Sequence, residues 1–110
     1  MWIRSAFWVG SPLAAHAAAF DRAVDTVLVP ALGTLPGVSQ ARALWPRRLD
    51  DNPPAIYCQV IVEFADLAAL ETMLASPERL ALRERVQVVA ATFDGTLSHI
   101  DYEVGPIGPA

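Results

Sequence analysis

One stretch, residues 55–64 (AIYCQVIVEF), limits most strongly what this chain can fold into. It is rich in β-branched and aromatic residues, which predicts a strand. A strand at the surface of a two-layer domain alternates apolar and polar side chains, because one of its faces meets water. Here one face is apolar without a break and the other is half apolar. We therefore expect helices to cover one face of the sheet and a second copy of the chain to cover the other.

Size and composition favour one small folded domain over residues 1–110. Hydrophobic residues make up 54% of the chain and charged residues 18%, which excludes a disordered chain. The net charge of -4 argues against nucleic acid, because phosphate binding needs clustered basic residues. No stretch approaches the roughly 20 apolar residues that cross a bilayer, and residues 1–10 do not form a signal peptide. We expect a cytoplasmic protein with no nucleic-acid or membrane partner.

The remaining chain predicts three more strands, at residues 2–9, 38–45 and 96–104. A helix is predicted to begin at Ser11-Pro12 and to kink or end at Pro30. Further helical stretches are predicted to begin at 65–66 and 76–77, with Gly95 ending the last one. Residues 105–110 are predicted to form an irregular tail. The order β-α-β-β-α-β is the α+β ferredoxin-like pattern, an antiparallel four-stranded sheet with helices on one face.

Alternation along the strands divides the candidate residues between the two faces of this sheet. His99 and Asp101 share one face of the last strand, and parity places the following residues with them on the helix side: Ser5, Phe7, Cys58 and Val60. The other face is expected to be the interface of a homodimer with the sheets face to face, and to carry Trp2, Trp8, Ile61, Ile100, Tyr102 and Val104. Tyr57 and Glu63 are expected on that side too, while Trp8 and Trp45 suit either a cavity or the interface.

Two stretches match a known family pattern. Phe20, Val24, Leu28 and Pro30, followed by residues 35–38 (LPGV), lie on the pattern Phe-x3-Trp-x3-His-x-Pro with a following Leu-Pro-Gly. Residues 63–70 and 74–78 match the exit from the third strand and the second helix of the same family. On these stretches the chain resembles the dimeric α/β-barrel superfamily, and within it the EthD-like proteins. The resemblance implies a homodimer that closes into an α/β barrel, with a pocket in each subunit between sheet and helices.

The resemblance also implies an activity. Known activities in the family include polyketide cyclisation, cofactor-free oxidation of anthrone-like phenols, and isomerase or lyase chemistry. The chain departs from the pattern at Leu28, where the family has a histidine, and at Val24, where it has a tryptophan. Cyclases of this fold carry a tyrosine and a histidine at the positions of Met73 and Arg79, and an acid at the position of Asp101. The acid is therefore kept and the histidine that it supports is absent.

A histidine beside a carboxylate in an apolar pocket is a candidate general base, and His99 with Asp101 fits that description. Arg79 would stabilise developing negative charge in the substrate, or would pair with Asp101. The other candidate substrate-binding residues are Ser5, Phe7, Phe20, Asp25, Leu28, Cys58, Val60 and Met73. The substrate would be small and hydrophobic, of aromatic or polyketide-like type, and the enzyme a cyclase, isomerase, lyase or cofactor-free oxygenase.

Structural alternatives exist for these residues. They make His99 a core or edge histidine bonded to Asp101, Cys58 a small buried hydrophobe, and Asp25, Arg79 and His16 surface residues. Two histidines and one cysteine give no metal-ligand spacing, so neither a metal nor a cofactor is expected. The alternative function is a non-catalytic homodimer that binds a hydrophobic metabolite as a carrier or pathway accessory.

Overall fold

A four-stranded antiparallel sheet forms one layer of the computed structural model, which describes residues 1–109. Its strands are β1 (Trp2–Pro12), β2 (Gln40–Leu44), β3 (Ile56–Phe64) and β4 (Phe93–Glu103). They lie in the order β2-β3-β1-β4, and each neighbouring pair is antiparallel. The predicted ferredoxin-like α+β fold is therefore confirmed. The predicted tail is irregular over residues 105–109, and Ala110 lies outside the described residues.

Helices cover one face of this sheet. Between β1 and β2 the chain forms a 3-10 turn (Ala14–His16), α1 (Ala17–Ala23), a π-helical segment (Val24–Leu28) and α2 (Val29–Gly33). Between β3 and β4 it forms α3 (Leu67–Ala75) and α4 (Pro77–Ala90). Within residues 1–109, no helix is long and apolar enough to cross a membrane.

The predicted helix start at Ser11-Pro12 is wrong. Both residues extend β1, where Ser11 pairs with Asp94 and Pro12 with Phe93. The cap-and-proline signal is local, whereas the pairing with β4 satisfies a long run of backbone groups, so the strand prevails. Pro30 does not end the helix either, because α2 continues to Gly33.

The π-helical segment directly before Pro30 explains how the helix continues. Proline has no amide hydrogen, and its ring crowds the carbonyl group four residues earlier. The amide of Val29 donates to the carbonyl of Val24, five residues back, so the helix is widened where the misfit falls. The widened turn carries Leu28, which is buried.

The two later helix starts were predicted correctly, and each has a side-chain cap. Asp66 accepts a hydrogen bond from the Ala69 amide at 2.8 Å and begins α3. Ser76 accepts one from the Arg79 amide at 3.2 Å and begins α4. The helix stop at Gly95 was wrong, because α4 ends at Ala90 and Gly95 lies within β4.

The register of β1 reverses the expected assignment of its two faces. Trp8 pairs with Cys58 and Ala6 with Val60, and Trp8, Cys58 and Val60 belong to the core beneath the helices. The following residues therefore face the helices: Trp2, Arg4, Ala6 and Trp8. Ser5 and Phe7 lie on the opposite face, which we call the open face. Both faces of β1 carry two or more large apolar side chains, so hydrophobicity alone could not tell them apart.

Tyr57 also lies on the helix side, contrary to the expectation of an interface position. The register shifts between Trp8 and Val9, whose partners are Cys58 and Ile56, and this leaves Tyr57 out of the regular pairing. Its hydroxyl donates to Asp21 at 2.7 Å, and burial and this hydrogen bond raise the pKa of Tyr57 to about 12. Strand parity does not predict the face of Tyr57, because the irregularity interrupts the alternation of side chains between the two faces.

Candidate functional site

A cavity of about 400 Å³ lies between the sheet and the helices. Side chains of β1, β3 and β4 form its floor, and the first helical stretch, α3 and α4 supply its walls. Its apolar lining consists of Ala6, Trp8, Leu28, Leu32, Leu35, Val60, Val62, Met73, Leu82, Val86 and Leu97. This volume and this lining are typical of a small-molecule site, in which apolar walls bind the ligand body and a few polar groups orient it.

The polar lining of the cavity is cationic. It consists of Arg4, Arg79, Arg83, Gln87 and His99. No carboxylate is among the lining residues in the described part of the chain, although the whole chain has a net charge of -4. The cavity therefore carries cationic side chains that the net charge of the chain does not predict.

His99 lies on β4 directly opposite Ala6 and lines the cavity, while part of its surface stays open to solvent. Burial of the imidazole lowers its pKa below the usual value, and the positive charges of Arg4 and Arg79 lower it further. Asp101 opposes these effects but does not reverse them. The imidazole is therefore neutral at neutral pH and can accept a proton.

Asp101 does not orient His99 in the way that the sequence suggested. Its carboxylate accepts hydrogen bonds from Nη1 of Arg4, at 2.9 Å to Oδ1 and 3.1 Å to Oδ2. Arg4 and Asp101 are directly opposite each other on β1 and β4, so strand pairing brings together residues that are 97 positions apart. Asp101 thus holds Arg4, which lines the cavity, and acts on His99 through its charge.

Arg79 lines the cavity from the first turn of α4. The Ser76 cap fixes its backbone, and one Nη1 hydrogen bond to the Leu74 carbonyl, at 3.4 Å, partly orients its guanidinium. A guanidinium has five donor hydrogens, so most of its hydrogen-bonding capacity is available to a ligand. Its position fits the predicted role in stabilising negative charge.

The predicted substrate-binding residues divide into those that line the cavity and those that do not. Leu28, Val60 and Met73 line it. Phe20 and Cys58 are buried in the core cluster next to it and do not reach its surface. Burial, followed by the charges of two nearby carboxylates, raises the pKa of the Cys58 thiol to about 12, so this thiol stays protonated and is a poor nucleophile.

Three predicted residues lie away from the cavity. Ser5 and Phe7 are on the open face, where the Ser5 hydroxyl donates to Gln59 at 3.1 Å. Asp25 is exposed and accepts a hydrogen bond from the indole of Trp45 at 3.1 Å. The predicted face assignment of β1 is therefore wrong, and Asp25 is the surface acid of the structural alternative.

Sequence reasoning missed two arginines of the cavity. Arg83 follows Arg79 by four residues on α4, and this helical spacing was a usable signal, because such residues share one face. Arg4 shares the strand parity of Trp8 and was placed on the wrong face together with it. With Arg79 alone the cavity would be apolar with one cation. Arg4 and Arg83 give it three arginines.

Solved structures with the same fold support this architecture. An EthD family protein from Bacillus halodurans C-125 superposes with a TM-score of 0.74 at 15% identity, covering 96% of this chain and all of its own. A dimeric ferredoxin-like protein of unknown function from Jannaschia sp. CCS1 gives a TM-score of 0.67 at 17% identity, with coverage of 94% and 100%. SnoaB, a cofactor-independent oxygenase from Streptomyces nogalater, gives a TM-score of 0.59 at 18% identity, with coverage of 99% and 95%.

These likenesses are likenesses of fold. No family model matches the chain, and no curated protein matches it. The predicted resemblance to the EthD-like proteins of the dimeric α/β-barrel superfamily is confirmed at the level of architecture. What the chain does must be argued from its own cavity, because one fold can host many activities.

Proposed function

We propose that the chain is a cytoplasmic, cofactor-independent enzyme that uses general acid/base chemistry on a small hydrophobic substrate of aromatic or polyketide-like type. One observation carries the proposal: the neutral imidazole of His99 lies at the cationic end of an otherwise apolar cavity of about 400 Å³. A neutral base at such a place can remove a proton from a substrate carbon, and the neighbouring arginines stabilise the anion that forms.

The geometry supports the following roles. His99 accepts the proton, and Arg79 donates hydrogen bonds to the oxygen on which negative charge develops. Asp101 holds Arg4 in place through two hydrogen bonds, and the apolar walls bind the body of the substrate. Cyclisation, isomerisation, carbon–carbon cleavage and reaction with oxygen can all begin from the same substrate anion. SnoaB, described as a cofactor-independent oxygenase, supports the last of these outcomes.

Replacement of the base tests the enzyme hypothesis. We expect His99→Gln to lower turnover of an anthrone-like or polyketide-like substrate by at least about 100-fold, because general base catalysis contributes that much or more. The same variant should still bind the substrate. His16→Gln is the matched control, because His16 is exposed in the 3-10 turn. Turnover that survives in His99→Gln would exclude His99 as the base.

One observation favours the non-catalytic alternative. Asp101 is paired with Arg4, so His99 lacks the orienting carboxylate that strengthens many histidine bases. A carrier or accessory protein for a hydrophobic metabolite needs only the cavity. In that case a bound ligand is recovered chemically unchanged, and His99→Gln changes its affinity only slightly.

We also propose that two copies pair through their open faces. Ile3, Phe7, Ile61, Ile100 and Tyr102 share the open face by strand register. Ile100 is 48% exposed and Tyr102 is 42% exposed, and both are large side chains on the edge strand β4. A sheet face of this kind is typically covered in the functional molecule. The dimeric Jannaschia protein supports the proposal.

A further inference from the structure

We infer that the ligand of the cavity is an amphiphilic carboxylate: a hydrophobic or aromatic body with one carboxylate group that binds between Arg79 and Arg83. The inference rests on the proposed function, because it names the substrate class of the same cavity. It also goes further, since it assigns to the substrate a negative charge that is present before any proton moves.

The first argument is charge balance. Among the described residues the ion pairs are Arg4 with Asp101 and Arg42 with Glu63. Arg79 and Arg83 therefore line the cavity without a carboxylate partner from the described part of the chain. Arg79 is partly buried beside the apolar wall and loses hydration without an ionic replacement, while Arg83 lines the same cavity with an exposed side chain. A ligand carboxylate supplies the missing charge.

The second argument is geometry. Arg79 and Arg83 are four residues apart on α4, so their side chains project from neighbouring turns on the same face. A guanidinium presents a planar fork of donors that matches the two oxygens of a carboxylate. The cap at Ser76 holds the first turn of α4 in place, which reduces the conformational freedom that binding would have to remove.

The third argument is the position of the base. The charge of Arg79 helps to lower the pKa of His99, so the two groups are close enough to interact. Both residues line the same cavity, so a carboxylate that binds to Arg79 places the rest of the ligand in the cavity that His99 also lines. The apolar lining, which includes Leu28, Val60 and Met73, receives the body of the ligand. A volume of about 400 Å³ accommodates a fused two-ring system or a medium-length acyl chain.

The test compares two probes of equal size, 2-naphthoate and its neutral analogue 2-naphthamide, by isothermal titration calorimetry at constant ionic strength. We expect the acid to bind at least about tenfold tighter than the amide, because hydrogen bonds between charged groups contribute this much. Arg79→Gln and Arg83→Gln should each reduce that preference by about tenfold. Arg85→Gln is the matched control, because Arg85 is an exposed residue of the same helix outside the cavity lining. Circular dichroism and unfolding curves establish that each variant is folded.

Three results would overturn the inference: equal affinity for acid and amide, no measurable binding of either probe, or an equal loss in Arg85→Gln and Arg79→Gln. The last result would show a general charge effect rather than a site. The two hypotheses can fail separately. A preference for the acid without any turnover dependent on His99 supports the carboxylate site and removes the enzyme function. Turnover that depends on His99, together with equal affinity for both probes, supports the enzyme function and removes the carboxylate site.

Discussion

Burial has opposite chemical consequences at His99 and Cys58. It favours the neutral form of both side chains, because a low-dielectric surrounding penalises charge. For the thiol, whose pKa rises to about 12, the neutral form is the unreactive one. For the imidazole, whose pKa falls, the neutral form is the proton acceptor. The same physical effect thus removes Cys58 from the list of reactive groups and prepares His99 for acid/base chemistry.

The first prediction concerns the titration of His99. We expect its pKa, measured by NMR, to lie below the usual value of 6.5. Arg79→Gln removes one of the two positive charges that lower it and should therefore raise it, whereas Arg85→Gln should not. His16→Gln assigns the two histidine signals. A pKa above 6.5 in the wild type, or one that Arg79→Gln leaves unchanged, would contradict the described electrostatics.

The same shift predicts a pH dependence of stability. Because the pKa of His99 is lower in the folded chain, the unfolded chain binds more protons once the pH falls below about 6.5. His99 therefore lowers the free energy of unfolding on the acid side and has no effect well above that pH. Catalysis that requires the neutral imidazole should persist below pH 6.5 and fall as the pH passes the lowered pKa.

At the scale of elements, local signals predicted the structure only where no distant strand competed with them. Asp66 and Ser76 cap α3 and α4 as expected, because each cap depends on backbone amides three residues away. Ser11-Pro12 carries the same signal and lies in a strand instead, because β4 pairs with this stretch. That pairing joins residues more than 80 positions apart, and no local pattern contains it.

Gly10 shows what the long β1–β4 pairing requires. Its φ is +129°, and a Cβ at this position would lie 2.2 Å from the carbonyl oxygen of Asp94. We expect Gly10→Ala to lower the free energy of unfolding by more than about 1 kcal/mol, because the residue would need both a strained φ and a displaced neighbour. Gly33→Ala is the control, since nothing lies within 4 Å of its added Cβ. Urea unfolding measures both, and equal effects would argue against the close approach.

Both faces of the sheet carry large apolar side chains, and this explains which parts of the site the sequence could predict. His99, Leu28, Val60 and Met73, which strand parity and helical periodicity predicted, and Arg79, which the family resemblance indicated, all line the cavity, and their roles toward a substrate stay a prediction. The faces of β1 could not be told apart, because the helices cover one and the other is apolar as well. Arg4 and its bond to Asp101 were missed for the same reason.

The final prediction follows from the exposed apolar face. If two copies pair through it, a charge introduced on it must be buried unpaired in the dimer, at a cost of several kcal/mol. Ile100 lies on this face opposite Ser5 and is 48% exposed, so Ile100→Glu should leave the monomer folded and prevent pairing. Val88→Glu places the same charge on α4, where the side chain is 71% exposed, and should leave the assembly unchanged. Light scattering coupled to size-exclusion chromatography gives the masses. A wild type that elutes as a monomer, or an Ile100→Glu variant that still forms dimers, would mean that the open face has another purpose.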